Sequence, residues 1–180
     1  MRIIGGRWRG RKIQFACDAA LRPTQDRIRE TLFNWLQPNI YGACCLDCFA
    51  GSGVLGFEAL SRGASFVTFF ECEKKHIQQL QFNANKLAAE NIEIIQVNFP
   101  ESVPILQHVP FDIVFLDPPF KKGLILYALG WLKACRYIKK GTVVYMESEL
   151  DIALELPTKW HCYKEKKTKT LRYSLCEYQQ

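Results

Sequence analysis

The sequence predicts an α/β fold built on a mostly parallel sheet with helices on both faces. From residue 43 onward, short runs rich in β-branched and aromatic residues alternate with stretches of helical apolar spacing. The short runs are almost continuously apolar, which is typical of parallel strands buried on both faces. The predicted strands are residues 43–49, 66–71, 92–97, 111–116 and 142–147, and the predicted helices are residues 54–62, 74–90, about 101–107 and 124–136.

Elements of a different kind are predicted on both sides of this region. Residues 2–15 predict a short β-hairpin, which we expect to be an extension rather than part of the core. A helix is expected to begin after Thr24 and to end before Pro38. Residues 159–178 predict two further strands joined by a lysine-rich turn. The helix between Thr24 and Pro38 is predicted to bury a stripe of Ile28, Leu32, Phe33 and Leu36. Arg22, Arg27 and Arg29 are expected to face outward or toward a ligand.

No repeat or linker divides the 180 residues, so we expect one domain. Within it, residues 1–20 would form the basic hairpin extension and residues 21–180 the catalytic core. No apolar run approaches the roughly 20 residues that span a bilayer, and the N-terminus does not resemble a secretory signal. A cytoplasmic protein with no membrane partner is therefore expected.

Basic residues are concentrated at the two ends of the chain. Residues 1–30 hold eight basic and three acidic side chains, and residues 159–180 hold six and two. If the two ends meet on one face, this distribution favours a polyanionic partner such as nucleic acid. The alternative is a solvated basic surface without a partner.

The cysteines do not predict a metal site. Cys45 and Cys48 form a CxxC pair, but no second pair follows at the spacing that tetrahedral zinc requires. We therefore expect no metal, and interpret the cysteines as small, buried and reduced.

A glycine loop is the first candidate site. The segment from Asp47 to Gly56 follows a predicted strand, opens a helix, and contains Gly51-x-Gly53-x-x-Gly56; Glu71 ends the next strand. Such glycines let the backbone turn sharply and approach a ligand, and the carboxylate can accept hydrogen bonds from ribose hydroxyls.

Two cofactors fit this pattern. A dinucleotide would place a pyrophosphate at the helix N-terminus, where Asp47 would repel it. S-adenosylmethionine has no phosphate, and Asp47 would face its cationic methionine end. The charge argument favours S-adenosylmethionine, with a nicotinamide cofactor as the competitor.

A second candidate site is Asp117-Pro118-Pro119-Phe120, directly after the fourth predicted strand. The two prolines make the segment rigid. Asp117 and the carbonyl of Pro118 could accept the two hydrogens of a planar exocyclic amine while Phe120 stacks on the base. No Pro-Cys dipeptide is present, which argues against a cytosine-C5 enzyme with a thiolate nucleophile. The alternative interpretation is a stiff turn with a carboxylate cap.

These motifs resemble those of class I S-adenosylmethionine-dependent methyltransferases that modify amino groups. Three further segments, residues 2–11, 21–36 and 144–149, resemble the bacterial 16S rRNA guanine-N2 methyltransferase family, and the resemblance covers nearly the whole chain. It implies a Rossmann-like class I methyltransferase fold with seven strands, the last two forming a hairpin. It also implies methylation of one guanine N2 in 16S rRNA within the small ribosomal subunit.

The same resemblance assigns roles to residues. Asp47, Gly51 and Gly53 would line the methionine end, Glu71 would bind the ribose, and Asn98 would face the adenine. The expected cofactor-binding set is Asp47, Phe49, Ala50, Gly51, Ser52, Gly53, Glu71 and Asn98. The expected catalytic set is Asp117, Pro118, Pro119 and Phe120. The expected RNA-binding set is Arg2, Arg7, Trp8, Arg9, Arg11, Lys12, Arg22 and Arg29. We expect the protein to be a monomer.

Three alternatives stay open. An adenine-N6 nucleic-acid methyltransferase would use the same amine site. An RNA-binding or ribosome-assembly module would keep the cofactor fold only as a scaffold, and the intact Asp117 and glycine loop argue against it. A nicotinamide-dependent oxidoreductase is disfavoured by Asp47 and by the lack of a hydride-transfer acid/base pair.

Overall fold

The fold is described from a computed structural model, which covers residues 1–15, 26–99, 103, 105–106, 110–119, 122–134, 137–152, 156 and 158–179. A 3-10 helix, Gly6–Trp8, lies in the N-terminal segment. Within the described residues, four α-helices and seven strands follow. In chain order they are α1 Asp26–Trp35, β1 Cys44–Asp47, α2 Val54–Ser61, β2 Phe66–Glu71, α3 Lys74–Leu87, β3 Ile92–Gln96, β4 Phe111–Leu116, α4 Leu124–Ala134, β5 Ile138–Glu149, β6 Trp160–Lys167 and β7 Leu171–Tyr178.

The seven strands form one sheet in the order β3-β2-β1-β4-β5-β7-β6. Strands β1 to β5 are parallel, and β7 pairs antiparallel with both β5 and β6. The predicted strands and the C-terminal hairpin are therefore confirmed, as is the Rossmann-like class I methyltransferase fold. The strand order reverses between β1 and β4, and open α/β sheets bind ligands at such a point, beyond the carboxyl ends of the strands.

Two apolar clusters cover the two faces of the sheet. On one face, side chains of α1, α2 and α3 pack against alternate residues of the strands, among them Val67 and Phe69. On the other face, α4 packs against the intervening residues, among them Phe70 and Val114. Because neighbouring strand residues point to opposite faces, the apolar strand runs are buried on both sides, as predicted.

The N-terminal segment is part of the core. A β-bridge between Arg2 and Lys12 joins its two arms, and the N–H groups of Ile3 and Ile13 donate across to Arg11 O and Met1 O, each at 3.0 Å. Ile3, Trp8 and Ile13 are buried in the same cluster as α1 and α2. The expectation that residues 2–15 extend outside the core is thus wrong, because these three side chains find apolar partners there.

The predicted stripe is buried: Ile28, Leu32 and Phe33 lie on α1, and Leu36 directly follows its last residue. The expectation that Arg29 faces outward is wrong, since its side chain is fully buried. Its guanidinium donates to Asp26 Oδ1 at 2.6 Å and to the carbonyl of Arg2 at 3.1 Å, and it lies 3.7 Å from Glu58 Oε2. Buried charges require such partners, and these lie on three separate parts of the chain.

Glu58 on α2 organises this contact. Its two carboxylate oxygens accept the backbone N–H groups of Ile4 and Gly5, each at 2.8 Å. The same carboxylate accepts Arg62 Nε at 2.8 Å. A buried acid thus fixes the N-terminal segment onto α2.

Some predicted boundaries differ from the structure. Helix α3 ends at Leu87 rather than at residue 90, because Ala88 adopts the left-handed conformation with φ of 52°. Strand β5 begins at Ile138 rather than at residue 142, and Gly141 lies within it with φ of 86°. Most of the short helix expected near 101–107 and the start of α1 near Thr24 lie outside the described residues.

The cysteines fall into two groups. Cys45 has a buried free thiol and Cys72 an exposed one, so the expectation of burial is wrong for Cys72. Burial raises the pKa of Cys44 to about 11 and the pKa of Cys45 well above its ordinary value, so these thiols stay protonated. Cys162 and Cys176 lie directly opposite each other, because antiparallel pairing of β6 and β7 sets these two residues side by side.

In the described parts of the chain, no helix is long and apolar enough to cross a membrane. In the same parts, no group of three or more metal-ligating side chains could hold a metal ion.

Candidate functional site

The glycine loop connects β1 to α2 and has the backbone conformation that its glycines predict. Gly51 has φ of 51° and Gly53, the N-cap of α2, has φ of 77°. Residues with a Cβ rarely adopt this left-handed region. Neighbouring strands hold the loop, since Cys48 N–H donates to Phe115 O at 3.1 Å and Ala50 N–H donates to Phe70 O at 3.0 Å.

The third glycine of the motif has a packing role. Gly56 lies within α2, and a Cβ there would collide with the ring of Phe69 and with Val67. The missing side chain lets α2 approach β2 closely. The N–H of Gly56 also donates to Asp47 Oδ2 at 3.2 Å, which connects the helix to the end of β1.

Asp47 ends β1 and is 2% exposed. Its pKa is raised to about 7, first because burial penalises the charged form. Hydrogen bonds from the backbone of Gly56 and Phe49 lower it, and the charges of Asp117 and Glu71 raise it further. The local charges that raise the pKa of Asp47 are thus two other carboxylates, which makes this a site suited to a cation.

Glu71 ends β2 and closes the other side of the loop. Its Oε2 accepts Gly51 N–H at 2.8 Å, and its Oε1 accepts the N–H groups of Cys72 and Glu73, each at 2.9 Å. His76 Nδ1 lies 3.5 Å from Oε1. An ionised carboxylate has about four acceptor positions, so Glu71 keeps capacity for a hydroxyl donor.

Asp117 follows β4, the neighbour of β1 in the sheet. Its side chain is half-buried, Pro118 is buried and Pro119 is exposed. Its charge contributes to the raised pKa of both Asp47 and Tyr145. The structure therefore brings together Asp47, Glu71 and Asp117 at the carboxyl ends of three adjacent strands. Phe120 lies outside the described residues.

The remaining predicted cofactor residues surround the same edge. Phe49 is half-buried and its ring packs edge-on against Phe99 at 5.3 Å. Ala50 is buried and Ser52 is half-buried. Asn98, after β3, is exposed beside Phe99. Phe49 and Phe99 thus form an aromatic contact at this edge, next to Asn98 in the chain.

The predicted RNA-binding residues divide into three groups. Arg2, Arg7, Arg9, Arg11 and Lys12 are exposed. Trp8 is 6% exposed and Arg29 is fully buried. The prediction that these two contact RNA is wrong, since a buried ring cannot stack on a base and a buried guanidinium cannot reach a phosphate. Arg22 lies outside the described residues.

Sequence reasoning missed Asn83, a fully buried residue of α3. Its Nδ2 donates to Gln14 O at 2.8 Å and to Ser52 O at 3.2 Å, and its Oδ1 accepts Gln14 N–H at 3.0 Å. Asn83 therefore joins the N-terminal segment to the glycine loop. The available signal was a polar residue on the apolar stripe that contains Leu80, Ala84 and Leu87.

A second missed group is a buried pair on β5. The hydroxyl of Tyr145 donates to Glu147 Oε1 at 2.6 Å. Burial raises the pKa of Tyr145 well above its ordinary value, and the charge of Glu147 raises it further. The hydroxyl therefore stays protonated and donates its hydrogen bond to Glu147.

Comparison with known proteins reveals similarity over the whole chain. The family model described as "Conserved hypothetical protein 95" matches residues 1–177. The proteins named "Ribosomal RNA small subunit methyltransferase D" of Haemophilus influenzae and of Escherichia coli are 46% and 44% identical to this chain. The alignments cover 97% of this chain and 92% and 88% of those proteins. The solved structure of a putative methyltransferase from Escherichia coli is 40% identical, has a TM-score of 0.89, and the match covers 99% of this chain and 98% of that one.

Proposed function

The chain belongs to the family described as "Conserved hypothetical protein 95", and from this membership we propose that it methylates the exocyclic N2 of one guanine in 16S rRNA. It is an rRNA methyltransferase, since its relatives carry that name and its fold is that of methyltransferases. The finer parts of the proposal are the guanine N2, the small ribosomal subunit as the substrate particle, and S-adenosylmethionine as methyl donor.

One observation carries the proposal about the cofactor. The buried carboxylate of Asp47 lies beside the left-handed glycine loop, and Asp117 and Glu71 are the neighbouring charges that raise its pKa. A pyrophosphate would be repelled by three carboxylates, whereas a cationic ligand would be stabilised by them. The residues present therefore fit S-adenosylmethionine better than a dinucleotide.

Each residue has a proposed role toward this cofactor. Asp47, with Gly51 and Gly53, would hold the cationic methionine end, and Glu71 would accept a ribose hydroxyl. Phe49, Ala50, Ser52 and Asn98 would line the adenosine part. When bound, S-adenosylmethionine supplies a methyl group that is activated by the positive charge of its sulfur.

Positioning of the amine is the main task of the protein. The Asp117 carboxylate and the Pro118 carbonyl would accept the two hydrogens of the guanine N2 amine and align its lone pair with the methyl group. Phe120 would stack on the base. Correct placement of two reactants accounts for a large part of a reaction barrier, so a strong general base is not required.

The cellular setting follows from the substrate. We propose that the chain acts as a single-domain monomer in the cytoplasm, where small ribosomal subunits are found. In that reducing compartment, Cys162 and Cys176 would be held as two thiols. Arg2, Arg7, Arg9, Arg11 and Lys12 would contact RNA phosphates.

The test is methyl transfer from labelled S-adenosylmethionine to small ribosomal subunits of a strain that lacks this gene, followed by nucleoside analysis. We expect N2-methylguanosine at one site. Asp117→Ala should reduce the rate about a hundredfold or more, because it removes the group that positions the amine. The exposed Glu90→Ala serves as the control and should retain the rate.

Other outcomes distinguish the alternatives. Label in adenosine would keep the amine mechanism and favour the adenine-N6 enzyme. Tight binding of S-adenosylmethionine without transfer to any RNA would favour the ribosome-assembly module.

A further inference from the structure

The end of β6 and the turn that joins it to β7 carry exposed positive charge. Lys166, Lys167 and Lys169 are all exposed. Lys167 Nζ lies 3.6 Å from Glu165 Oε1, whereas Lys166 Nζ lies 5.8 Å above the ring of Trp35 on α1. The turn therefore reaches across to α1.

A cleft of about 650 Å³ separates this turn from α1. The described residues that line it include four cations and several hydroxyl groups, and none of them is acidic. Tyr173, at the start of β7, stacks on Trp35 with ring centroids 5.5 Å apart, which fixes the two walls relative to each other. The lining residues are Arg27, Ile28, Thr31, Lys166, Lys167, Thr168, Lys169, Thr170 and Tyr173.

The register of the sheet places this cleft at the edge that holds Asp117. Strand β7 runs antiparallel to β5, with Leu171 opposite Glu149 and Tyr173 opposite Glu147. The β6–β7 turn therefore projects beyond the carboxyl end of β5. Strands β4 and β5 are parallel neighbours, so Asp117 follows β4 at the same edge.

The lining chemistry indicates a polyanion as the partner. Lysine and arginine side chains are hydrogen-bond donors only, and in combination with threonine hydroxyls they match the oxygens of a phosphodiester chain. An RNA strand whose reacting base lies at Asp117 extends beyond that residue on both sides. Because the cleft and Asp117 lie at the same edge of the sheet, the flanking part of the strand can follow this edge into the cleft.

We propose that this cleft, between the first turns of α1 and the β6–β7 turn, binds backbone phosphates of the RNA strand that flanks the methylated guanine. The inference rests on the proposed function and adds a second phosphate-binding surface, distinct from the N-terminal segment. It assigns a role to the basic C-terminal part of the chain and to Arg27.

The test compares two double variants of the full-length protein. Lys166→Ala with Lys169→Ala removes two charges from the cleft. Lys140→Ala with Lys159→Ala removes two exposed charges at the opposite edge, since Lys140 precedes the buried part of β5 and Lys159 precedes β6. Each variant is assayed for methyl transfer to small ribosomal subunits from a strain that lacks the gene, at several salt concentrations, and for binding of S-adenosylmethionine.

We expect the cleft variant to raise KM for the subunit about tenfold or more, with kcat and cofactor affinity unchanged. The slope of log(kcat/KM) against log salt should become shallower by about 1 to 2, because two phosphate contacts are lost. The opposite-edge variant should keep the KM and the salt slope of the wild type.

Two results would overturn the inference, and they differ. If the wild type methylates the subunits and both double variants have equal KM values and equal salt slopes, the cleft does not bind the RNA and the proposed function stands. If the wild type binds S-adenosylmethionine but transfers no methyl group to the subunits, the proposed function fails and the inference fails with it.

Discussion

Burial at the end of β1 raises the pKa of Asp47 to about 7, so near neutral pH this carboxyl group is partly protonated in the unliganded protein. The raised pKa has a consequence for stability. The folded state favours the protonated form, so the group contributes stability below its ordinary pKa of 3.8. That contribution is lost as the pH rises from there through about 7.

Cofactor binding should have the opposite pH dependence. A cationic ligand needs the ionised carboxylate, and a proton competes with it below the pKa. We expect the affinity of the wild type for S-adenosylmethionine to fall about tenfold for each pH unit below the pKa. Isothermal titration calorimetry between about pH 5.5 and about pH 7.5 measures this change.

The variant Asp47→Asn separates the two effects. It removes a buried charge, so at about pH 8 the unliganded variant should melt at a higher temperature than the wild type. It also removes a charge-assisted contact, so cofactor affinity should fall about tenfold to a hundredfold and lose its pH dependence. Equal affinities for variant and wild type would contradict the role given to Asp47.

At the scale of single elements, helix α3 shows how a local signal can be missing. The helix ends where Ala88 adopts φ of 52° and ψ of 49°. Its N–H then bonds to Asn85 O, and Ala89 N–H bonds to Ala84 O. A glycine normally occupies this position, and its absence is the reason that the sequence predicts a helix up to residue 90.

Ala88→Gly should stabilise the protein. The left-handed conformation costs an alanine about 1–2 kcal/mol, and glycine adds about 0.5–1 kcal/mol of unfolded-state entropy. The free energy of unfolding should therefore rise by about 0.5–1 kcal/mol in urea titrations. The exposed Gln78→Gly in the same helix should instead lower it by about 0.5–1 kcal/mol. A loss of stability in both variants would contradict the cap geometry.

At the scale of the whole molecule, the N-terminal segment, the glycine loop and α2 form one connected structure. Glu58 binds the backbone of Ile4 and Gly5, and Asn83 binds both Gln14 and Ser52. Hydrogen bonds therefore hold the N-terminal segment against the glycine loop. The exposed arginines of that segment would place RNA contacts at a fixed distance from the amine site.

Trp8→Ala should lower the stability of the entire protein. The indole is 6% exposed, and the backbone N–H of Trp8 donates to Ser61 Oγ at 2.9 Å. Loss of a large buried ring costs about 3–5 kcal/mol. We expect urea unfolding followed by circular dichroism and by fluorescence to shift together as one transition, whereas the exposed Arg9→Ala should change stability by less than about 0.5 kcal/mol. An unchanged midpoint for Trp8→Ala would mean that the segment is a separable extension.

The charges of the whole molecule are divided between two surfaces. Three carboxylates converge at the ends of β1, β2 and β4, and basic residues lie around them on the N-terminal segment and on the β6–β7 turn. Such a division suits a cationic cofactor in the centre and a polyanionic substrate at the rim.

The local pattern along the chain was sufficient to predict the succession of strands and helices and the glycine loop. It was also sufficient to place Asp47, Glu71 and Asp117 at strand ends. These features depend on residue type and on near neighbours: side-chain alternation, left-handed glycines, and the rigidity of Pro118 and Pro119. Each is therefore visible before any long-range contact is known.

Tertiary contacts decided what the pattern could not. Arg29 and Trp8 are residue types expected on an RNA-binding surface, yet both are buried. The Arg29 guanidinium is paired with the distant Glu58, and the Trp8 ring belongs to the apolar cluster of α1 and α2. Asn83 looks like an interruption of an apolar stripe until Gln14 and Ser52 are placed beside it. The fate of a polar or aromatic side chain depends on the free energy of its burial, and that free energy is set by partners that only the folded chain brings together.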